Sequence, residues 1–535
     1  MAIAAFAYGV SCGTAPGRAE RRTAERYVAA WARGDFGAMY RMLSKGARER
    51  VSPGAFTAAY REAALTATLG SLRAHDANDT EDGAVPVPVE VTTRAFGAFR
   101  AVEHVPLDGS GEDAHVGWRP EMVFPGLRAG ERLTRRTTLA ARGDLEARDG
   151  TALAAGPDRR SAAPDVSAEI AGGLGPIPAD RREFYRAFGY PPDAQIGISG
   201  LERAFQPQLA GAPGGTLLAG ARTLARSAPR PGRTVRTSIS VRVERAAIAA
   251  LGGRYGGVAA LQPRSGQVLA LAGVAFSALQ PPGSTFKVIT TSAALQAGIV
   301  KPSTAFPVQT HAVLEGVDLS NAGGEACGGT LAEAFAESCN SVFAPLGARL
   351  GAPKLVAAAE RFGFNEPTGI PGAETPSIPQ AGRVGDDLAV GSTAIGQGDV
   401  QATALSMASV AATIANGGVR VRPVLQAGRS GRATRAATPR VARTMNALMR
   451  GVVTGGTGTA AQIPGIAVAG KTGTAELRDT TQPGAGGPED TDAWFVAFAP
   501  AGDPRIAVGV LLVSAGAGGD TAAPVAHDVL VGGLK

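Results

Sequence analysis

The chain has 535 residues and a formal net charge of +7, with 53 Lys and Arg against 46 Asp and Glu. A chain of this length can bury several cores, so a single small binding module is excluded and two to four domains are predicted. Its 44% hydrophobic and 19% charged residues are typical of a folded protein, and no basic block with interleaved aromatic residues indicates a nucleic-acid partner.

Three residue types are scarce. The three cysteines cannot build a disulfide framework, and the five scattered histidines show no metal-ligand spacing, so we expect no metal ion and no other cofactor. The 53 cations comprise 47 arginines and six lysines, a bias typical of GC-rich coding. The basic composition therefore indicates little about partners, but each lysine becomes conspicuous.

Residues 1–18 are a short, mostly apolar N-terminal segment without the basic start of a secretory signal. We interpret it either as a clipped membrane anchor or signal, or as a disordered terminus. Cys12 follows an imperfect lipoprotein cleavage site, which leaves lipidation as an alternative. No run of about 18 apolar residues predicts a membrane-spanning helix.

Residues 19–141 are predicted to form an α+β domain. Apolar residues between positions 22 and 72 recur at helical spacing, which predicts paired amphipathic helices. From residue 84 apolar and polar residues alternate, and they do so again from Val116 to Phe124, so strands of a half-buried sheet are predicted in both places.

Residues 142–236 are predicted to form a connecting domain. A stretch rich in Gly, Pro and Asp begins near Arg142, and short helical pieces such as residues 201–209 are separated by PGG and PRPG breaks. This segment is predicted to be too irregular for a large core.

Residues 237–535 predict a sheet whose strands come from both ends of the domain. A helix over residues 243–251 precedes a hairpin formed by residues 258–261 and 268–274. Residues 284–455 are predicted to be largely helical. Three further strands are predicted over residues 466–477, 494–499 and 506–513.

Ser284 and Lys287 form the first candidate catalytic pair. A helical run from residue 286 to 296 follows Pro281-Pro282-Gly283, which places Ser284 at a helix N-terminus, where free N–H groups favour a developing negative charge. Because Lys287 lies three residues further on, its amine is within reach of the hydroxyl and can activate it once burial or another cation lowers the lysine pKa. The alternative is an N-capping serine beside a solvated lysine.

Two more motifs follow in order. Ser338-Cys339-Asn340 comes after a helix that the capping box Thr330 to Glu333 begins. Lys471-Thr472-Gly473-Thr474 lies in a strand-like run. Each string is weak alone, but the three together in this order are rare by chance.

Two nucleotide-binding patterns compete with this interpretation. Residues 465–472 match the phosphate-loop string GxxxxGK[ST], but the residues between its glycines are strand-like and a loop, not a helix, is predicted soon afterwards. Residues 456–461 match GxGxxA without a long preceding strand. We reject the first and give the second little weight.

The order SxxK, SxN and KTG, with these structural contexts, resembles the penicillin-binding proteins and serine β-lactamases. The strings ARGDLEARDGTALA, GISGLERAFQPQLAG, AIGQGDVQATALSMA and MRGVVTGGTGTAA resemble the monofunctional class B penicillin-binding proteins, although Ala147 and Asp149 depart from the first signature. The resemblance covers residue 118 to the end of the chain, and residues 1–117 resemble an NTF2-like module more loosely.

This resemblance implies a multidomain α+β protein. It combines an NTF2-like N-terminal domain, a dimerisation-like connecting domain, and a C-terminal transpeptidase fold in which helices flank an antiparallel sheet. The implied activity is that of a peptidoglycan D,D-transpeptidase at the extracytoplasmic face of the membrane. Its substrates would be a D-Ala-D-Ala stem peptide and an acceptor amine, and β-lactam antibiotics would acylate the same serine.

The resemblance also implies roles for the site residues. Ser284 would be the nucleophile, Lys287 its base, Ser338 the proton relay to the leaving D-Ala, and Asn340 the group that orients the substrate amide. The strand Lys471-Thr472-Gly473-Thr474 would bind the peptide and its terminal carboxylate. The N–H groups of Ser284 and Thr474 would form the oxyanion hole.

Several alternatives stay open. A β-lactamase or D,D-carboxypeptidase would use water for deacylation, but no Glu-x-x-x-Asn follows between residues 341 and 380. A non-catalytic β-lactam sensor or scaffold is an alternative of another class. No glycosyltransferase signature is found, so a partner polymerase is implied. We favour Cys339 as the variable residue of SxN, with a disulfide to Cys327 as the alternative.

Overall fold

The computed structural model describes residues 17–477 and 487–535, so almost all of the predicted segment 1–18, including Cys12, lies outside the described residues. The chain divides into two compact units. Among the described residues, unit 1 contains residues 17–143, 174–198 and 206–233, and unit 2 contains residues 144–173, 199–205, 234–477 and 487–535. Residues of the predicted connecting domain thus contribute to both units, and the three-domain division stays a prediction.

The first part of unit 1 contains four helices and an antiparallel sheet. The helices are α1 (Arg18–Ala32), α2 (Phe36–Arg41), α3 (Lys45–Arg50) and α4 (Pro53–Ala67). The strands are β1 (Leu69–Ala74), β2 (Ala84–Thr93), β3 (Gly97–Asp108), β4 (His115–Val116) and β5 (Leu133–Thr138). Strands β1 to β4 pair in chain order. The alternating valines of β2 are buried in one core with Tyr27, Phe56 and Tyr60 of the helices, as the alternation predicts.

The strand predicted from Val116 to Phe124 is wrong for most of its length. Within that stretch a strand forms only at His115–Val116, and Pro120–Val123 forms a 3₁₀ helix. Pro120 occupies the first position of that helix, where its fixed φ suits a helical turn and its missing N–H costs nothing. Met122 and Phe124 are buried even so, which explains the apolar spacing.

Short elements fill the next hundred residues. They are β6 (Leu145–Glu146), β7 (Ala152–Ala154), α5 (Pro164–Ile170), β8 (Leu174–Pro176), α6 (Arg182–Ala187), β9 (Gln195–Gly197), α7 (Gly200–Ala204), α8 (Gln206–Leu209), β10 (Gly214–Ala219), β11 (Arg222–Ser227) and β12 (Val235–Arg236). The hairpin of β10 and β11, which pairs with β5, is not among the predicted elements. Leu217 of this hairpin is wholly buried in the core of unit 1.

Unit 2 continues with helices and strands in both halves. The helices are α9 (Val241–Leu251), α10 (Lys287–Gln296), α11 (Leu331–Ala336), α12 (Asn340–Leu350), α13 (Ala352–Phe362), α14 (Asp387–Ala394), α15 (Ala404–Ala415), α16 (Pro439–Gly455) and α17 (Ala522–Leu534). The strands are β13 (Gly256–Leu261), β14 (Val268–Gly273), β15 (Ala305–Gln309), β16 (His311–Leu314), β17 (Val317–Ser320), β18 (Cys327–Thr330), β19 (Val419–Val421), β20 (Ala433–Arg435), β21 (Ala469–Glu476), β22 (Thr491–Ala499) and β23 (Ile506–Leu512).

A five-stranded antiparallel sheet forms the centre of unit 2, in the order β14-β13-β23-β22-β21. The predicted hairpin and the three predicted C-terminal strands are present, whereas β15 to β18 lie in a stretch predicted to be largely helical. Val508 and Val510 point to a core shared with α9 and α17. Between them, a Cβ on Gly509 would lie 2.2 Å from the Ala404 carbonyl oxygen, so α15 covers the opposite face.

Within residues 17–477 and 487–535, no helix is both long enough and apolar enough to span a membrane.

Candidate active site

Ser284 lies in a 3₁₀ turn, Gly283–Phe286, that runs directly into α10. The predicted helix start is therefore correct in position, although its first turn is tighter than an α-helix. Gly283 has φ 51° and donates its N–H to the Gly396 carbonyl at 2.9 Å. A Cβ on Gly283 would lie 2.7 Å from the Thr474 carbonyl oxygen, so the serine turn packs against β21.

Gly473 permits this close approach from the side of the strand. A Cβ at this position would lie 2.9 Å from Cγ2 of Thr285 and 3.0 Å from the Pro282 carbonyl oxygen. It would also lie 2.9 Å from Cβ of Trp494 on the neighbouring strand. Because contacts under 3.0 Å force atoms to move, any side chain here would separate β21 from the Ser284 turn.

Lys287 is wholly buried, and its Nζ atom donates to the Ser338 carbonyl and to Oδ1 of Asn340, each at 2.7 Å. It also reaches Ser338 Oγ at 3.4 Å. Burial and the nearby charge of Lys471 hold the pKa of Lys287 well below its usual range. The sequence pairs Lys287 with Ser284, but among the described residues the Ser284 hydroxyl has no hydrogen-bond partner.

Lys471 is the second buried lysine, and it approaches the same residue. Its Nζ donates to Ser338 Oγ at 2.7 Å and to the Thr472 carbonyl at 3.1 Å. Burial lowers its pKa to about 7, an effect partly offset by the negative charge of Glu337. Two lysine amines with lowered pKa values thus donate hydrogen bonds to the same hydroxyl, that of Ser338.

Ser338 is presented by an unusual turn between α11 and α12. Its φ is +65°, in the left-handed region that serine rarely adopts. The next residue, Cys339, is wholly buried and forms a disulfide with Cys327. The favoured interpretation of Cys339 as only a variable residue is therefore wrong. Asn340 begins α12 and donates from Nδ2 to the Ser320 carbonyl at 2.8 Å.

The KTG motif lies on β21, the edge strand of the sheet. Alternate backbone groups of an edge strand point away from the sheet and are available to a peptide that adds as another strand. Thr472 is nearly buried, and its Oγ1 lies 2.6 Å from Oγ1 of Thr457. Sequence reasoning assigned no role to Thr457, although it lies in the string MRGVVTGGTGTAA.

The competing nucleotide-binding patterns lack the required structure. Strand β21 runs through Lys471 and Thr472 to Glu476, so no helix N-terminus follows to hold a phosphate. Residues 456–461 follow helix α16 and not a strand. Within residues 17–477 and 487–535, no cluster of three His, Cys, Asp or Glu side chains is arranged to hold a metal ion.

Comparisons with known proteins match both units. Residues 256–531 match the family described as penicillin binding protein transpeptidase domain, and residues 19–131 match the NTF2-like N-terminal transpeptidase domain. The peptidoglycan D,D-transpeptidase PbpA of Mycolicibacterium smegmatis is 40% identical over 292 residues, which cover 49% of this chain and 56% of that protein. The chain thus spans about half the length of the curated relatives it matches.

Solved structures extend the match over more of the chain. The ceftriaxone acyl-enzyme complex of penicillin-binding protein A from M. tuberculosis is 30% identical, with a TM-score of 0.60 over 74% of this chain and 99% of that chain. Pseudomonas aeruginosa PBP2 in complex with WCK 5153 is 26% identical, with a TM-score of 0.65 over 75% of this chain and 96% of that chain.

Proposed function

This chain belongs to the penicillin-binding protein transpeptidase family, and we propose that it is a peptidoglycan D,D-transpeptidase acting through an acyl-enzyme on Ser284. The observation that carries the proposal is the convergence of two buried lysines on Ser338, beside a serine turn packed against an edge strand. Such a site has a nucleophile, two amines with lowered pKa, and a surface for an extended peptide.

In the acylation step, the Ser284 hydroxyl attacks the carbonyl carbon of the D-Ala-D-Ala peptide bond. Lys287 accepts the hydroxyl proton, since its lowered pKa favours the neutral amine. The developing oxyanion is held by the N–H groups of Ser284 and Thr474. Asn340, bonded to Lys287, orients the substrate amide.

Collapse of the tetrahedral intermediate breaks the peptide bond, and the leaving D-Ala nitrogen takes a proton. Ser338 is suited to relay that proton because its hydroxyl contacts both Lys287 and Lys471. The amine of a neighbouring stem peptide then attacks the acyl-enzyme, gives up a proton, and forms the cross-link as Ser284 regains its own. A β-lactam would enter the first step and leave the serine acylated.

The terminal carboxylate of the donor peptide is bound by charge and hydroxyl groups on β21. Lys471 supplies the positive charge, and Thr472 and Thr474 supply hydroxyl donors. The positively charged form of Lys471 is favoured when an anion binds beside it, because the anion offsets the cost of burial.

We also propose that the chain acts at the extracytoplasmic face of the membrane, in contact with a glycan polymerase. The disulfide between Cys327 and Cys339 supports an oxidising compartment. We propose further that the segment 1–18 anchors the chain and that the glycan polymerase is a separate partner protein.

The test is intact-protein mass spectrometry after incubation with benzylpenicillin, and separately with a D-Ala-D-Ala peptide with and without an amine acceptor. We expect a stable penicilloyl adduct on Ser284, no adduct for Ser284→Ala, and a normal adduct for Ser292→Ala in α10, the helix that follows the serine turn. With the peptide we expect release of D-Ala and an acceptor-dependent transfer product.

Other outcomes would contradict the proposal. Rapid conversion of benzylpenicillin to penicilloate would indicate a β-lactamase, and release of D-Ala without transfer would indicate a carboxypeptidase. A stable adduct with no turnover of any peptide would indicate a sensor or scaffold. An adduct that survives Ser284→Ala would disprove the assignment of the nucleophile.

A further inference from the structure

Thr457 lies beside the proposed carboxylate site and has no part in the mechanism above. Its Oγ1 is 2.6 Å from Oγ1 of Thr472 and 3.3 Å from the carbonyl oxygen of Ala336. Its backbone N–H donates to the same carbonyl at 3.1 Å. Because Ala336 ends α11 just before Ser338, Thr457 joins the Ser338 turn to β21.

We propose that Thr457 is a positioning residue that makes the Thr472 hydroxyl a hydrogen-bond donor toward the carboxylate of the ligand. This inference rests on the proposed function, in which Thr472 binds the terminal carboxylate. Thr457 acts through Thr472 and does not itself touch the ligand.

Each hydroxyl has one proton to donate and two lone pairs to accept, so the direction of the hydrogen bond between the two threonines decides which proton stays free. If Thr472 donates to Thr457, it has no proton left for an anionic ligand, and a carboxylate beside its lone pairs would be repelled. If Thr457 donates to Thr472, the proton of Thr472 is free to point at the carboxylate. The 2.6 Å separation suits a strong hydrogen bond in either direction.

The second arrangement costs little in this structure. The Ala336 carbonyl keeps the N–H of Thr457 as its donor, so rotation of the Thr457 hydroxyl sacrifices only the longer 3.3 Å bond. The other neighbour of Thr472 Oγ1 is Nζ of Lys471 at 3.5 Å, which when protonated is a donor alone. With Lys471 and Thr457 both donating to Thr472, its own proton is directed to the ligand.

Close backbone packing fixes Thr457 in this place. A Cβ on Gly456 would lie 2.4 Å from the Ala336 carbonyl oxygen, and one on Gly519 would lie 2.5 Å from the Thr457 carbonyl oxygen. The exposed hydroxyl of Thr457 is therefore held at β21 by glycines on both sides.

The experiment compares acylation by benzylpenicillin, which has a free carboxylate, with acylation by its methyl ester. For Thr457→Val we expect the second-order acylation constant for benzylpenicillin to fall about tenfold, as for loss of a hydrogen bond to a charged group, while that for the ester is unchanged. Thr457→Ser should restore the wild-type value. Thr459→Val, which removes an exposed threonine hydroxyl two residues away, is the matched control.

The same substitution is then repeated in a Thr472→Val background, where we expect Thr457→Val to have no further effect. An equal loss with both compounds would indicate a structural role and overturn the inference. A loss of the same size in the Thr472→Val background would mean direct contact with the ligand, and no loss with benzylpenicillin would also overturn it. Absence of any Ser284 adduct in the wild type would instead overturn the proposed function, and this inference with it.

Discussion

Nζ of Lys471 lies 2.7 Å from Oγ of Ser338, so β21 is linked by one hydrogen bond to the residue that also contacts Lys287. Burial disfavours the charged form of both lysines, and the charge of Lys471 lowers the pKa of Lys287 further. Both amines therefore lose a proton more readily than ordinary lysines.

The first prediction concerns the pH dependence of acylation. The proposed mechanism needs neutral Lys287 and charged Lys471, so the second-order constant for benzylpenicillin should rise as Lys287 loses its proton and fall above about pH 7 as Lys471 loses its own. At saturating antibiotic the falling limb should move to higher pH, because the bound carboxylate raises the pKa of Lys471. Stopped-flow acylation from pH 5 to 10 measures both, and a second-order constant that rises steadily to pH 9 would contradict the assignment.

The second prediction is that Gly473→Ala nearly abolishes acylation. A methyl group there would contact Thr285, Pro282 and Trp494 within about 3 Å, so the serine turn must move away from β21. A misplacement of the reacting groups by about 1 Å costs on the order of a hundredfold in rate. Gly451→Ala in α16, where a new Cβ meets nothing within 4 Å, should leave acylation unchanged and serves as the control. Wild-type rates in Gly473→Ala would disprove the close approach.

The third prediction concerns the disulfide. It closes a loop with a sequence separation of 12 residues, so Cys327→Ser should lower the free energy of unfolding by about 3 kcal/mol. Acylation should also slow, because Cys339 fixes the left-handed residue Ser338 that precedes it. Thermal unfolding with and without reductant measures the effect. Reductant should lower the Tm of the wild type and leave the Tm of Cys327→Ser unchanged. A wild-type Tm that reductant does not change would contradict a stabilising role of the disulfide.

The fourth prediction concerns Glu244, a wholly buried residue of α9. Oε2 of Glu244 accepts the Leu271 N–H at 2.8 Å while Oε1 has no partner, and burial raises the pKa to about 8. The folded state therefore holds a proton that the unfolded state releases, and stability falls as pH rises from about 4.5 to 8. At pH 9, Glu244→Gln should therefore raise the free energy of unfolding by up to about 5 kcal/mol relative to the wild type. At pH 4, where Glu244 is protonated in both states, the substitution should not give this gain. The measurement is urea unfolding of Glu244→Gln and the wild type at both pH values. A midpoint difference between the two proteins that is equal at pH 9 and pH 4 would contradict the prediction.

Sequence patterns predicted much of unit 2 because its signals are local. Thr330 and Glu333 bond each other's backbone N–H groups as a capping box requires, and the apolar runs of β13 and β14 pair across a tight loop. The predicted fold class, an antiparallel sheet flanked by helices with an NTF2-like unit before it, is confirmed by the family matches.

The arrangement at Lys287 could not be predicted in the same way. Spacing of three residues places it near Ser284, but its hydrogen bonds go to Ser338 and Asn340, some fifty residues further along the chain. Those partners depend on the left-handed turn at Ser338, which no residue-level preference indicates. The hydroxyl pair of Thr457 and Thr472 likewise forms only when the loop after α16 meets β21.

The order of strands in unit 2 also constrains how the chain reaches its native state. Strand β13 lies between β14, its neighbour in sequence, and β23. Gly256 therefore pairs with Leu512, from which it is separated by most of the sequence of unit 2. Closing so long a loop is entropically costly, and pairings of this kind form slowly. During synthesis, the sheet that ends in β21 is incomplete until β23 has emerged. Until then the nascent chain exposes apolar strand edges to chaperones and proteases.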